Sequence, residues 1–213
     1  NCTFNGVQDK GVMRTGMSHD INIENTFING SLALIDKPFK NYSEWLVASE
    51  MKRAAHPYLL DFSTKPKWSY VMGIEQESML DAYEAYKNPE IINYLKEYPA
   101  TMIDANGNIT GYEYKDFNLD NVRTAKFILR MNNLQPEKNV DRALKTLFKQ
   151  LENQPRTKEG VWWHKAIYAN QVWLDGIFMG LPLYTAYAAQ NMSAKKVNKY
   201  FDDAVDQIIK TDK

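Results

Sequence analysis

From about residue 40 onward, apolar residues recur at three- and four-residue intervals, and that period restricts the chain to packed helices more firmly than any single motif does. It is cleanest near the C-terminus. There Val197, Tyr200, Phe201, Ala204, Val205, Ile208 and Ile209 trace one stripe behind Ser193, a residue suited to cap a helix. The same spacing predicts a helix over residues 42–56 stopped by Pro57, and one over 68–86 with Met72, Met79, Leu80, Tyr83 and Tyr86 on related faces. A third opens at Pro89 with Ile91, Ile92, Leu95 and Tyr98 on one side, and a fourth starts near Leu119. A fifth carries Val140, Ala143, Leu144, Leu147 and Leu151, and a sixth runs over about 171–190 despite Pro182. The Asn-Gly pair within residues 104–108 marks a tight turn, able to join a small hairpin with residues 109–114. Stripes that face one direction per helix suit helix pairs layered around a common centre, so the expected class is all-α, an array of helical hairpins. Residues 1–40, rich in Asn, Gly, Thr and Ser without a helical period, read as an irregular arm wrapped over a helical domain of 41–213.

Charge and cysteine content remove several function classes. Lys plus Arg and Asp plus Glu number 26 each, so no long-range field favours nucleic acid or an anionic membrane surface. The single cysteine, Cys2, excludes an intramolecular disulfide framework and any multi-thiolate metal site. It reads as an ordinary free thiol or as the remnant of a lipoprotein anchor, since a start at Asn1 suggests a processed or trimmed end. No apolar run approaches the roughly 20 residues needed to cross a bilayer. The 13% aromatic content suits stacking on ring-shaped ligands and equally suits a helical core.

Two carboxylates stand out. Asp175 lies among Trp173, Phe178 and Met179, downstream of His164 and the Trp162-Trp163 pair, and burying an ionised carboxylate in aromatic surroundings is costly without a partner or a task. Asp120 lies at the expected start of the fourth helix, and Asp175 near the start of the sixth. Carboxylates at neighbouring helix ends can face one cavity and divide acid and base duties, which is what chemistry on a sugar needs. Asp120 could instead be a helix N-cap, and Asp175 a polar residue on an outer helix face. His164 could bond a ligand, orient a carboxylate, or be a satisfied structural histidine. A metal is not expected, because His19, His56 and His164 have no ligand-like spacing. There is neither a Gly-x-Ser-x-Gly elbow nor a phosphate-binding glycine loop.

Taken together, Trp68-Ser-Tyr70-Val-Met-Gly73, Asn118-Leu-Asp120-Asn-Val122, Pro155-Arg-Thr157, Trp163-His-Lys165 and Gln171-Val-Trp-Leu-Asp-Gly-Ile-Phe-Met179 resemble the unsaturated rhamnogalacturonyl hydrolases of glycoside hydrolase family 105, relatives of the family 88 unsaturated glucuronyl hydrolases. The resemblance covers roughly residues 40–190. Val161-Trp162 stand where the family usually has Gly-Phe, Ala125 where a helix Gly is common, and Ala169 where Pro often follows the Tyr. The resemblance implies an (α/α)6 six-hairpin barrel, of which this chain covers about the N-terminal half. It also implies hydration of the vinyl ether of a 4,5-unsaturated uronic acid at the end of a lyase-generated oligosaccharide, of pectin or rhamnogalacturonan type, without a cofactor. Asp175 would be the general acid/base and Asp120 its partner carboxylate, with His164 and Trp173 contacting ligand and Trp68 and Tyr70 lining an aromatic wall. An imported oligosaccharide would favour a periplasmic or secreted bacterial protein over a cytoplasmic one. Half a barrel would leave apolar helix faces open to self-association or to the remaining hairpins. A non-catalytic carbohydrate-binding or structural (α/α) domain is the alternative.

Overall fold

A computed structural model describes residues 3–4, 27–28, 31–32 and 41–212. The chain divides into two compact units, 1–55 and 56–213. In the first, strands β1 (Thr3–Phe4), β2 (Phe27–Ile28) and β3 (Ser31–Leu32) form a small sheet in that order, β1 parallel and β3 antiparallel to β2. The rest of the expected arm, with Cys2 and His19, lies outside the described residues. Helix α1 (Tyr42–Arg53) completes this unit, capped by Asn41, whose side chain accepts the Glu44 N–H. It therefore groups with the N-terminal residues, where the sequence placed it with the later helices.

The second unit is all-helical apart from two isolated bridges. Helices α2 (Tyr70–Tyr86), α5 (Asp120–Leu134) and α7 (Leu174–Asn191) lie side by side and parallel. The pairing sequence shows the direction. Ser69 meets Thr124 near the start of α2 and α5, while Asp81 and Glu84 meet Arg130 further along both helices. Helix α3 (Pro89–Leu95) returns behind α2, with α4 (Glu97–Met102) following it against the 3-10 turn at Pro57–Leu59, while α6 (Lys138–Glu152) returns behind α5 and α8 (Ala194–Thr211) behind α7. Parallel inner helices joined through antiparallel outer ones are the hairpin arrangement of an (α/α) barrel.

The expected third helix is two. Pro99 has no N–H to offer the Leu95 carbonyl and its ring crowds that oxygen, so the helix breaks at Lys96 and restarts. Nor do residues 109–114 form a hairpin strand. Pairing stops at one bridge, Ile103 to Ile109, because the Asp104 carboxylate closes the turn on the Asn106 and Asn108 N–H groups, and the chain then enters a 3-10 turn at Tyr114–Asp116.

Helix α5 is central, burying Val122, Ala125, Phe127, Ile128, Leu129 and Met131. Its contact with α2 depends on a glycine: a Cβ at Gly73 would lie 2.5 Å from the Thr124 Cα. Only hydrogen there lets the backbones approach, and Thr124 Oγ1 then donates to the Ser69 carbonyl at 2.6 Å. Helix α7 continues through Pro182, as expected. Helix α8 departs from its predicted stripe. Tyr200 and Ala204 are buried with Gln207, but Phe201, Val205, Ile208 and Ile209 are 40–55% exposed. Ser193 precedes the helix without a side-chain cap, its carbonyl serving Lys196 and Val197 instead.

Candidate active site

The first turns of α5 and α7 and the segment between α6 and α7 meet at one end of the inner helices. Leu119 is the N-cap of α5 and Asp120 its first residue, whose N–H is accepted by Asn118 Oδ1 at 3.0 Å, so the Asp120 carboxylate has no capping duty. Of the two readings open in the sequence, the N-cap is excluded. Asp120 Oδ1 instead lies 3.1 Å from His164 Nε2 and its Oδ2 lies 2.7 Å from the Lys165 ammonium. Burial pushes the Asp120 carboxyl up, but the hydrogen bonds and charge of His164 and Lys165 outweigh it and hold the group below the ordinary carboxylate range. Asp120 is thus ionised at neutral pH.

His164 is fixed from both sides. Its N–H donates to the Gln171 carbonyl at 2.9 Å and its own carbonyl accepts the Leu119 N–H at 3.1 Å, satisfying a donor at the start of α5. Behind it, Gln154 Nε2 donates to the carbonyls of Phe117 and Trp163 at 2.6 and 2.8 Å, tying the segment before α5 to the segment before α7. The imidazole stacks on Trp173, with centroids 4.4 Å apart and planes 8° from parallel, and Tyr168 stacks on the same indole at 5.3 Å. The Lys165 ammonium stands 5.7 Å over the Trp173 ring and 5.9 Å over Tyr168.

Asp175 opens α7 as its second residue. A Cβ on its neighbour Gly176 would lie 3.2 Å from Leu119 Cδ1 and 3.3 Å from His164 Nδ1, so the glycine lets α7 close on both. One oxygen each of Asp120 and Asp175 and one nitrogen of His164 all fall within 4.8 Å of one another. Both carboxylates sit at the positive ends of parallel helices, where negative charge is favoured. Among the described residues, these three offer the donor set of a small metal site. A cation would compete there with the Lys165 ammonium, and ligands about 2.0–2.1 Å from a tetrahedral zinc stand closer together, near roughly 3.4 Å.

The expected site residues divide. Asp120, His164, Trp173 and Asp175 come together. His164 is only 1% exposed, with its Nε2 against the Asp120 carboxylate. Trp173, 40% exposed, keeps a free surface. Tyr70 is 39% exposed at the start of α2, on the same end of the inner helices. Trp68 does not form wall: it is 5% exposed, stacked on Tyr98 at 6.0 Å, and its Nε1 donates to the Asn121 carbonyl at 2.7 Å. Asp175 is exposed, against the expectation that aromatic neighbours bury it. Leu174 and Phe178 are themselves 77% and 47% exposed and exclude little water. The sequence reading did not assign Lys165 as the cation on Asp120. Its signal was direct succession, a base beside a histidine already suspected.

The sequence model of Glycosyl Hydrolase Family 88 matches residues 42–213. A solved structure of a family 105 glycoside hydrolase from C. acetobutylicum aligns with a TM-score of 0.69 and 30% sequence identity. The alignment covers 80% of this chain and 44% of that chain, so the match takes in less than half of the relative's length.

Proposed function

This chain belongs to glycosyl hydrolase family 88, and on that premise we propose that its site serves the release of a 4,5-unsaturated uronic acid from lyase-generated oligosaccharides of the pectin or rhamnogalacturonan type. Asp175 protonates C4 of the vinyl ether, positive charge grows at C5 and the ring oxygen, and the ionised Asp120 across the site stabilises it. Water then adds at C5 and gives its proton to Asp175, restoring the acid. The resulting hemiketal opens, and the other sugar leaves from C1. His164 and Lys165 hold Asp120 ionised and in place, and Trp173 offers its exposed surface to the sugar ring.

The observation that carries this reading is the pairing of an exposed Asp175 with an ionised, clamped Asp120 at the N-termini of two parallel helices, their oxygens within 4.8 Å. The test compares a lyase-generated disaccharide with its saturated counterpart. Turnover of the unsaturated sugar alone supports the mechanism, and comparable turnover of both contradicts it. A second reading, a carbohydrate-binding domain without turnover, is favoured by the solvent exposure of Asp175. Its mark would be saturable disaccharide binding with no product.

A further inference from the structure

We infer that Arg123 and Phe178 form a spacer that sets the separation of Asp120 and Asp175, making both positioning residues for the reaction proposed above, on which their catalytic consequence rests. Arg123 follows Asp120 by three residues on α5, and Phe178 follows Asp175 by three residues on α7. Three residues are close to one helical turn, so each side chain lies beneath a carboxylate on its own helix. Because the helices are parallel, a contact between the lower pair reports the register of the upper pair.

That contact is close. The Arg123 guanidinium carbon stands 4.5 Å from the Phe178 ring centroid. Arg123 is 4% exposed, and its Nη2 donates to Glu77 Oε2 at 2.6 Å, while Nε and Nη1 have no hydrogen-bond partner among the described residues. Burying two unbonded nitrogens of a cation, with their three N–H groups, is costly, and the electron-rich face of the Phe178 ring is what they have in place of an acceptor.

Glu77 fixes the other end. Its carboxylate also meets Lys126 at 2.8 Å and Arg130 at 3.3 Å, and Arg130 is further engaged by Asp81 at 2.7 Å and Glu84 at 2.9 Å. Glu77 of α2, Arg123 of α5 and Phe178 of α7 therefore make one continuous chain of contacts across the three inner helices. A salt bridge that only stabilised the fold would need Glu77 and Arg123 alone. The addition of a half-exposed phenylalanine carries the restraint onto α7, just beyond the close packing of Gly176 on Leu119 and His164.

The test is F178L against F178Y, with R123M as a third variant, reading kcat and KM separately and determining each crystal structure. Phe178 is half-exposed, so F178L should fold, and R123M leaves Glu77 paired with Lys126 and Arg130. A displacement of about 1 Å between reacting groups can cost on the order of a hundredfold in rate. F178L and R123M should lower kcat by about tenfold or more with KM within about twofold, and F178Y, which keeps the ring, should restore it. Their crystal structures should show the Asp175 carboxylate shifted relative to Asp120, and that of F178Y should not. Wild-type kcat in F178L, or an unchanged Asp120 to Asp175 separation in its structure, would overturn the spacer. A wild type that turns over nothing would instead overturn the proposed reaction, and the structural comparison would still decide the spacer.

Discussion

The Lys165 ammonium lies 2.7 Å from Asp120 Oδ2, on the opposite oxygen from the one that faces His164. Asp120 is thereby held by two cationic or donor groups that neighbour each other in sequence, and the wide loop between α6 and α7 delivers both at once. The carboxylate keeps a fixed orientation and a fixed charge while Asp175, on the neighbouring inner helix α7, stays open to solvent.

Removing that charge should show in stability. D120N leaves His164 and Lys165 facing an amide that cannot match the ammonium, and losing a partner for largely buried groups costs roughly 1–3 kcal/mol. A lowered urea midpoint with an unchanged slope is expected. The double variant D120N/K165M should lose less than the two single losses combined, because both act on one contact.

Acid should unfold the protein through a small set of carboxylates. Asp120, Glu77 and Asp203 are each raised by burial but lowered overall by their partners, His164 and Lys165 for Asp120, Lys126 and Arg123 for Glu77, Arg156 for Asp203. A carboxyl with a depressed folded pKa contributes stability above its unfolded value, about 3.9 for Asp and 4.3 for Glu, and loses it as pH falls through the folded value. Stability should therefore be level from neutral pH down to about 5, then fall steadily below about 4. Urea midpoints across that range check it, and D203N should flatten the acid limb.

Gly73→Ala should be severe for so small a change. Its methyl would sit 2.5 Å from the Thr124 Cα, and backbone cannot swing aside as a flexible side chain does. Forcing α2 from α5 should cost about 1–3 kcal/mol by thermal or urea unfolding. Alanine at Gly111, where nothing lies within 4 Å, meets no such clash, although its φ of +78 still carries a backbone penalty of its own.

Trp68→Phe tests whether that residue is core or ligand wall. Losing the Nε1 bond to the Asn121 carbonyl should cost about 1 kcal/mol while the ring stack on Tyr98 persists. Activity should stay near wild type, and a large rise in KM at unchanged stability would return Trp68 to the ligand surface.

Much of this was legible in the chain. Periodicity located α5, α6, α7 and α8 within a few residues, because those helices are long and their apolar spacing is regular. It did not say what covers each face: the stripe on α8 reads as core, yet Phe201, Val205, Ile208 and Ile209 are open while polar Gln207 is fully buried beside Trp162. Local letters misled at Asp175 for the same reason. Aromatic neighbours in sequence bury a carboxylate only if they fold over it, and here Trp173 lies on His164 and Phe178 on Arg123, leaving Asp175 uncovered. The clamp on Asp120 depended on contacts far apart in sequence, as did Glu77 with Arg123, and no local signal exists for either. Short-range chemistry was equally hard to foresee at residues 104–116, where a side-chain carboxylate ended the strand pairing.

The proposed chemistry at Asp175 is tested most directly by following the ultraviolet absorbance of the conjugated double bond as lyase-generated unsaturated rhamnogalacturonan disaccharide is mixed with wild type and with D175N. Asp175 is exposed, so its amide variant should fold as wild type does. The account predicts a steady loss of absorbance with wild type and a rate at least about a hundredfold lower with D175N, the scale for removing a positioned acid/base. An equal rate with D175N would contradict it, as would disaccharide bound by folded wild type with no loss of absorbance.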